Sequence, residues 1–235
     1  MIKQDDRGLC KNSVTQETIN QIITTDMETM AIEQLIQQMV KEKHITPRQK
    51  WCWRWGKTSQ ECKALFTRIF MQVDDTIDDF VWLPEYDQIV DWMTNTNDKG
   101  LMLMGDCGRG KSLILNYVLP VLFRLHERNV RPVHAQDLGR LFPNSLCNET
   151  YLDRLLRTSF PIIDEVGVEP MMNDYGEKTE GLNMILNAAE RYHRPVFIST
   201  NLTELQLLDR YGQRTVDRLA HLCRTVHFKG DSLRK

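Results

Sequence analysis

Eight residues constrain this chain more than any other stretch: Gly105-Asp106-Cys107-Gly108-Arg109-Gly110-Lys111-Ser112. Their spacing, G-x-x-x-x-G-K-[ST], is that of a phosphate-binding loop. Gly105, Gly108 and Gly110 let the backbone turn tightly with its N–H groups facing inward, and no side chain there blocks a phosphate. Lys111 is placed to reach the outer phosphates of a nucleotide, and Ser112 to offer its hydroxyl to Mg2+. So short a pattern also arises by chance, and its surroundings decide. Residues 100–104 (GLMLM) ahead of it read as a buried strand, and 113–119 (LILNYVL) behind it read as an apolar helix ending at Pro120. Strand, glycine turn and helix N-terminus form the arrangement that anion binding requires.

A chain of 235 residues can bury a sizeable core in one or two domains. Its 41% hydrophobic and 26% charged residues are those of an ordinary globular protein. A net charge of −2 gives no overall pull toward nucleic acid, so local charge matters more. No apolar run reaches membrane-spanning length, and the opening MIKQDDRGLC has no signal-peptide core; a cytoplasmic location and no membrane contact are expected. Cys10, Cys52, Cys62, Cys107, Cys147 and Cys223 lack C-x-x-C pairing and metal-ligand spacing to histidine, and read as reduced thiols.

The chain divides near residue 75. Residues 1–75 look helical and lack the strand–helix rhythm that 76–235 carry. Between 18 and 40 the apolar residues Ile19, Ile22, Ile23, Met27, Met30, Ile32, Leu35, Ile36 and Met39 favour a helix with one apolar face, for a partner or for an internal core. Residues 40–57 set six basic residues against Glu42 and alternate Trp51, Trp53 and Trp55. Such a pattern suits stacking on nucleic-acid bases, and equally a small core or a protein contact. Acidic residues dominate 74–91, and a linker is expected at 74–79. Pro84 then opens a helix at its favoured first position, with Tyr86, Ile89, Val90 and Met93 as its apolar stripe.

Further strands follow at 130–135 and 160–167, with helices expected around Leu138–Phe142 and Leu152–Leu156. The strand Phe160-Pro161-Ile162-Ile163 ends in Asp164 and Glu165. Side chains at the C-terminal ends of parallel strands meet the ligand crevice. Asp164 there would hold Mg2+ opposite Ser112, and Glu165 would orient or deprotonate an attacking water. Another strand, 195–201, ends in Ser199, Thr200 and Asn201, polar groups able to position that water or to cap a helix, a role open to Thr203 as well. Arg214 and Arg218 lie one helical turn apart and share a face. A nucleotide hydrolase needs a cation beyond Lys111 at the γ-phosphate, and this pair can supply it.

Taken in order, 101–112 (LMLMGDCGRGKS), 162–170 (IIDEVGVEP), 197–202 (FISTNL) and 211–219 (YGQRTVDRL) resemble the DnaC/IstB-like AAA+ ATPases, most of all the DnaC-type helicase loaders. The resemblance spans about 83–235 and includes 173–178 (NDYGEK). It implies an α/β AAA+ P-loop NTPase fold, a parallel sheet of about five strands flanked by helices, without a C-terminal lid. A small helical partner-binding domain at 1–75 would precede the ATPase domain at 76–235. By the same resemblance Gly105 to Ser112 match Walker A, Asp164 and Glu165 Walker B, Asn201 sensor 1, and Arg218 the arginine finger with Arg214 in support.

The implied activity is ATP hydrolysis with Mg2+. The implied partners are a hexameric DnaB-type replicative helicase, single-stranded DNA and further copies of the chain joined through the ATP sites. Two alternatives stand beside it: an IstB-like transposition helper that binds duplex DNA, and an ATP-gated adaptor that does not hydrolyse. The intact Glu165 argues against the adaptor.

Overall fold

The computed structural model describes residues 16–42, 44–45, 50–73, 80–138, 160–170, 172–174, 177–179 and 181–233. The expected linker at 74–79 and the expected helices around 141–142 and 152–156 lie outside them. The chain forms two compact units, 1–48 and 49–235. In the first, α1 (Gln16–Lys41) is the helix that the apolar spacing anticipates. Met30, Ile32, Leu35 and Ile36 on it are 45% to 58% exposed, which leaves their apolar surface facing water.

The division at 48/49 departs from the expected boundary near 75, and the tryptophans explain why. Trp51 and Trp53 are buried and Trp55 is partly buried, all in the core of the second unit. Trp51 and Trp53 both meet Phe160 edge-on, at 5.0 and 4.8 Å between ring centroids. Trp53 N donates to Thr96 Oγ1 at 2.9 Å, and Trp55 Nε1 to Leu122 O at 2.7 Å. Burial of each such ring is worth about 1.5–3 kcal/mol or more. Rings spent this way are unavailable for stacking on bases. The helix α2 (Ser59–Val73) joins the same core through Cys62, Phe66, Ile69 and Phe70, one face at helical spacing.

A sheet of five parallel strands runs through the second unit. Its strands are β1 (Gly100–Gly105), β2 (Pro132–His134), β3 (Ile162–Val166), β6 (Phe197–Thr200) and β7 (Cys223–Phe228), in the order β2-β3-β6-β1-β7. A separate antiparallel pair, β4 (Met172–Asp174) and β5 (Glu177–Thr179), forms a hairpin. Strand β1 shows how the sheet divides two cores. Leu101 and Leu103 enter one, with α2 and α3 (Pro84–Thr94), while Met102 and Met104 enter the other, with α6 (Gly181–Arg191). Alternation on a strand buried from both sides produces a continuous apolar run. Next to β1 on one side lies β6, so a whole strand separates the phosphate loop from the strand that carries Asp164.

Pro120 does not end the helix after the loop, contrary to expectation. The helix runs on as α4 (Lys111–Leu113), a π-helical turn at Ile114–Val118 and α5 (Leu119–Arg124). Proline lacks the N–H that bonds back one turn, and a wider turn just ahead of it absorbs the defect. The last strand, β7, has no strand signature in sequence because Arg224, Thr225 and His227 interrupt its apolar pattern. It lies at the sheet edge, where only Cys223, Val226 and Phe228 are buried.

Candidate functional site

The phosphate loop follows β1 and leads into α4. Gly108 and Gly110 take φ of +74° and +85°, in the left-handed region that favours glycine. Lys111 is 6% exposed and turned back on its own loop, donating to Gly105 O at 2.8 Å and Asp106 O at 2.6 Å. Burial pushes its ammonium below the usual lysine pKa, while Cys107, Asp106, Asp164 and Glu165 pull it back up. An anionic phosphate on the loop would hold that ammonium charged.

Asp164 ties the loop helix to the sheet. Ser112 Oγ donates to its Oδ1 at 3.1 Å, and Asn116 Nδ2 to its Oδ2 at 2.7 Å. Ser199 Oγ, from β6, also donates to Oδ1. Asn116 was missed by sequence reasoning. The available signal was its place four residues after Ser112, on the same face, as the one amide in an apolar helix.

Glu165 sits where the β3/β6 register shifts, between Ile163 and Val166, with φ of +59°. A bulge breaks side-chain alternation, and lets neighbouring carboxylates serve one region. Such a φ costs a non-glycine residue of order 1 kcal/mol or more, a strain typical of functional positions. Glu165 N donates to Ser199 Oγ at 2.9 Å, which fixes the bulge. Its Oε2 lies 3.0 Å from His134 Nε2. His134 Nδ1 accepts from Gln136 N at 3.2 Å, which assigns the ring proton to Nε2 and makes His134 the donor to Glu165. His134 had no signature in sequence, because β2 and β3 become neighbours only in the fold.

Asn201 is exposed immediately after β6, while Ser199 and Thr200 are buried. Thr203 supplies the cap of α7 (Glu204–Tyr211), in a capping box with Gln206. On α8 (Gln213–Leu222), Arg214 is exposed and Arg218 Nε lies 3.0 Å from Glu190 Oε2 on α6. Buried Glu169, another residue the sequence did not single out, braces the loop after β3. Its Oε2 accepts from Gly167 N at 2.7 Å, its Oε1 from Tyr211 Oη, and its backbone O from Arg210 Nη2 at 2.7 Å.

Arg109 differs from the other loop side chains. Its guanidinium is buried against Glu85 of α3, with Nη2 2.9 Å and Nε 3.2 Å from Glu85 Oε1. The side chain is committed to the scaffold, leaving its backbone to the loop. Cys107 and Asp106 are exposed.

No protein-family model and no curated protein matches the sequence. Among solved structures, the crystal structure of the DnaC helicase loader aligns over 68% of this chain and 98% of its own, at 16% identity and a TM-score of 0.54. The chain shares the fold of that helicase loader. The structure of DnaI aligns over 58% of this chain and 73% of its own, at 22% identity and a TM-score of 0.47. AMPPCP-bound DnaA from Aquifex aeolicus aligns over 65% and 49%, at 15% identity and a TM-score of 0.49. The likeness is one of fold, and the chemistry rests on the residues described above. Among the described residues no helix is long and apolar enough to cross a membrane.

The geometry makes Lys111→Ala the most direct test of the loop. The variant should lose tight binding of a fluorescent ATP analogue, because the phosphates lose their main compensating charge. Affinity equal to wild type would remove the phosphate-loop reading.

Proposed function

We propose that this chain is an ATP-dependent helicase loader, which uses ATP binding and hydrolysis to assemble on a hexameric DnaB-type replicative helicase and on single-stranded DNA. The observation that carries this reading is the convergence of Lys111, Ser112, Asp164 and Glu165 at the C-terminal ends of β1 and β3, on a fold shared with a helicase loader. The loop backbone and Lys111 hold the phosphates. Ser112 Oγ and the Asp164 carboxylate are hard oxygen donors already in contact at 3.1 Å, a pair that suits Mg2+. Held there, Mg2+ would supply positive charge against the phosphates. Glu165 orients or deprotonates the attacking water, and Asn201, exposed just after β6, contacts the γ-phosphate or that water. ATP favours assembly of neighbouring protomers, and hydrolysis releases helicase and DNA. Turnover is slow, since a switch needs dwell time.

The first unit supplies the helicase contact, through the exposed apolar side chains of α1. Capture of the replicative helicase from the same genome tests both statements. The full chain should retain it, whereas the chain without 1–48 should bind ATP normally and capture none. A cut near 75 would be a poor test, because it removes Trp51, Trp53, Phe66 and Phe70 from the core. Helicase captured by 49–235 alone would move the partner site onto the ATPase unit. Binding to duplex DNA in preference to single strands, without helicase capture, would favour the transposition helper.

A further inference from the structure

Beyond β7 the chain runs on alongside the phosphate loop. Phe228 O accepts from Asp106 N at 3.0 Å, and Leu233 N donates to Gly108 O at 2.9 Å. Gly230 N donates to Asp106 Oδ2 at 2.9 Å. Asp231 O accepts from Arg109 Nη1 at 3.1 Å. Lys229 N donates at 2.9 Å to Glu85 Oε1, the oxygen that holds Arg109. Packing is as close as the bonding: a Cβ on Gly108 would overlap Ser232 Oγ, and one on Gly230 would lie 2.9 Å from Arg109 Nη1.

We propose that Arg109 is a positioning residue for nucleotide binding: with Glu85 it clamps segment 229–233 to the loop, and this strap holds the loop in its phosphate-receptive shape. The proposal rests on the nucleotide reading above. Its physical basis is the loop itself, which turns through glycines with left-handed φ and has few rigid side chains of its own. Shape must then come from what the loop touches. The strap touches it at Asp106, Gly108 and Arg109 in succession.

The Arg109–Glu85 pair fits a positioning role better than a stabilising one. Both partners are buried, and Glu85 Oε2 has no hydrogen-bond partner among the described residues. Desolvation of two charges offsets much of their attraction when a lone pair stays unsatisfied. What the pair does supply is direction. A planar guanidinium bonds Glu85 and Asp231 O at once, which fixes α3, loop and strap relative to each other. Linkage makes the effect reciprocal: a strap that favours nucleotide binding is in turn held by bound nucleotide.

Two variants in the full chain test this, one from each side. Arg109→Lys keeps a charge beside Glu85 but loses the fork that reaches Asp231 O. Gly230→Val pushes the strap off Arg109. Both should speed amide hydrogen exchange at 105–110 in the nucleotide-free protein, without speeding it across the sheet. Both should weaken binding of a fluorescent ATP analogue about 5–150-fold, the usual span for coupled sites, with the loss falling on KM rather than kcat. In wild type, the analogue should slow exchange at the amides of Gly230 and Leu233. If wild type binds the analogue and Lys111→Ala loses it, yet both strap variants bind as wild type does, the positioning role is wrong and the nucleotide site stands. If exchange speeds throughout the unit and kcat falls together with affinity, the contacts only stabilise the fold and the proposal is overturned. A wild type that binds no nucleotide overturns the positioning role along with the nucleotide reading.

Discussion

Arg218→Ala should hydrolyse ATP about 10³–10⁵-fold more slowly than wild type, the usual worth of an arginine finger, and should regain activity when mixed with Glu165→Gln. Arg218 lies on α8 with its side chain 15% exposed and its Nε 3.0 Å from Glu190 Oε2. Within one protomer it is therefore engaged, on a helix that packs against α6. The Glu190 side chain is 41% exposed, so water competes for its carboxylate and the pair can exchange. A γ-phosphate presented by a neighbouring protomer would offer more charge. Arg218 is then expected to leave Glu190 and act in trans, with exposed Arg214 one turn away in support. In a mixture of the two variants, some interfaces join an intact Glu165 to an intact Arg218. Those interfaces should turn over ATP, and the mixture should exceed both parents. Should the two variants co-assemble with no recovery, Arg218 works within its own subunit or does not touch ATP, and its pairing with Glu190 is its whole role.

What sequence made legible, and what it hid, follows from the range of the contacts. Loop, β1 and the Asp164-Glu165 pair are local patterns: a glycine spacing, an apolar run, a run ending in carboxylates. Each survives reading in one dimension. The partners of those residues do not. Asn116 reaches Asp164 across 48 positions, and His134 reaches Glu165 across 31. The first depends on where the loop helix packs on the sheet, the second on which strands become neighbours. The tryptophans show the same limit in reverse. Basic residues interleaved with Trp51, Trp53 and Trp55 suit a nucleic-acid surface as well as a core, and Phe160 and Phe123, far along the chain, decide for the core. Strand β7 was hidden by composition, since an edge strand needs few apolar residues. Arg109 was legible as a loop residue, but its attachment to Glu85 and Asp231 was not.

Glu165→Gln should bind ATP as wild type does and hydrolyse it about 10²–10⁴-fold more slowly, the range over which a general base contributes. Glutamine is the right probe because it preserves the shape of the site. The bulge at Glu165 is held by a backbone N–H on Ser199 Oγ, which the substitution leaves in place. His134 Nε2 donates to Oε2, and the amide oxygen of glutamine can accept that bond too, though without the carboxylate's charge. Lys111, Ser112 and Asp164 keep their contacts, and with them the phosphate grip. What is lost is the capacity to take a proton. A protein trapped with ATP should also stay longer on helicase and single-stranded DNA, because in the proposed loading cycle release follows hydrolysis. The measurements are steady-state phosphate release and the lifetime of the complex on immobilised DNA. Turnover in the variant equal to wild type would make Glu165 a bystander, whose bond to His134 is structural, and would return the ATP-gated adaptor as the better reading.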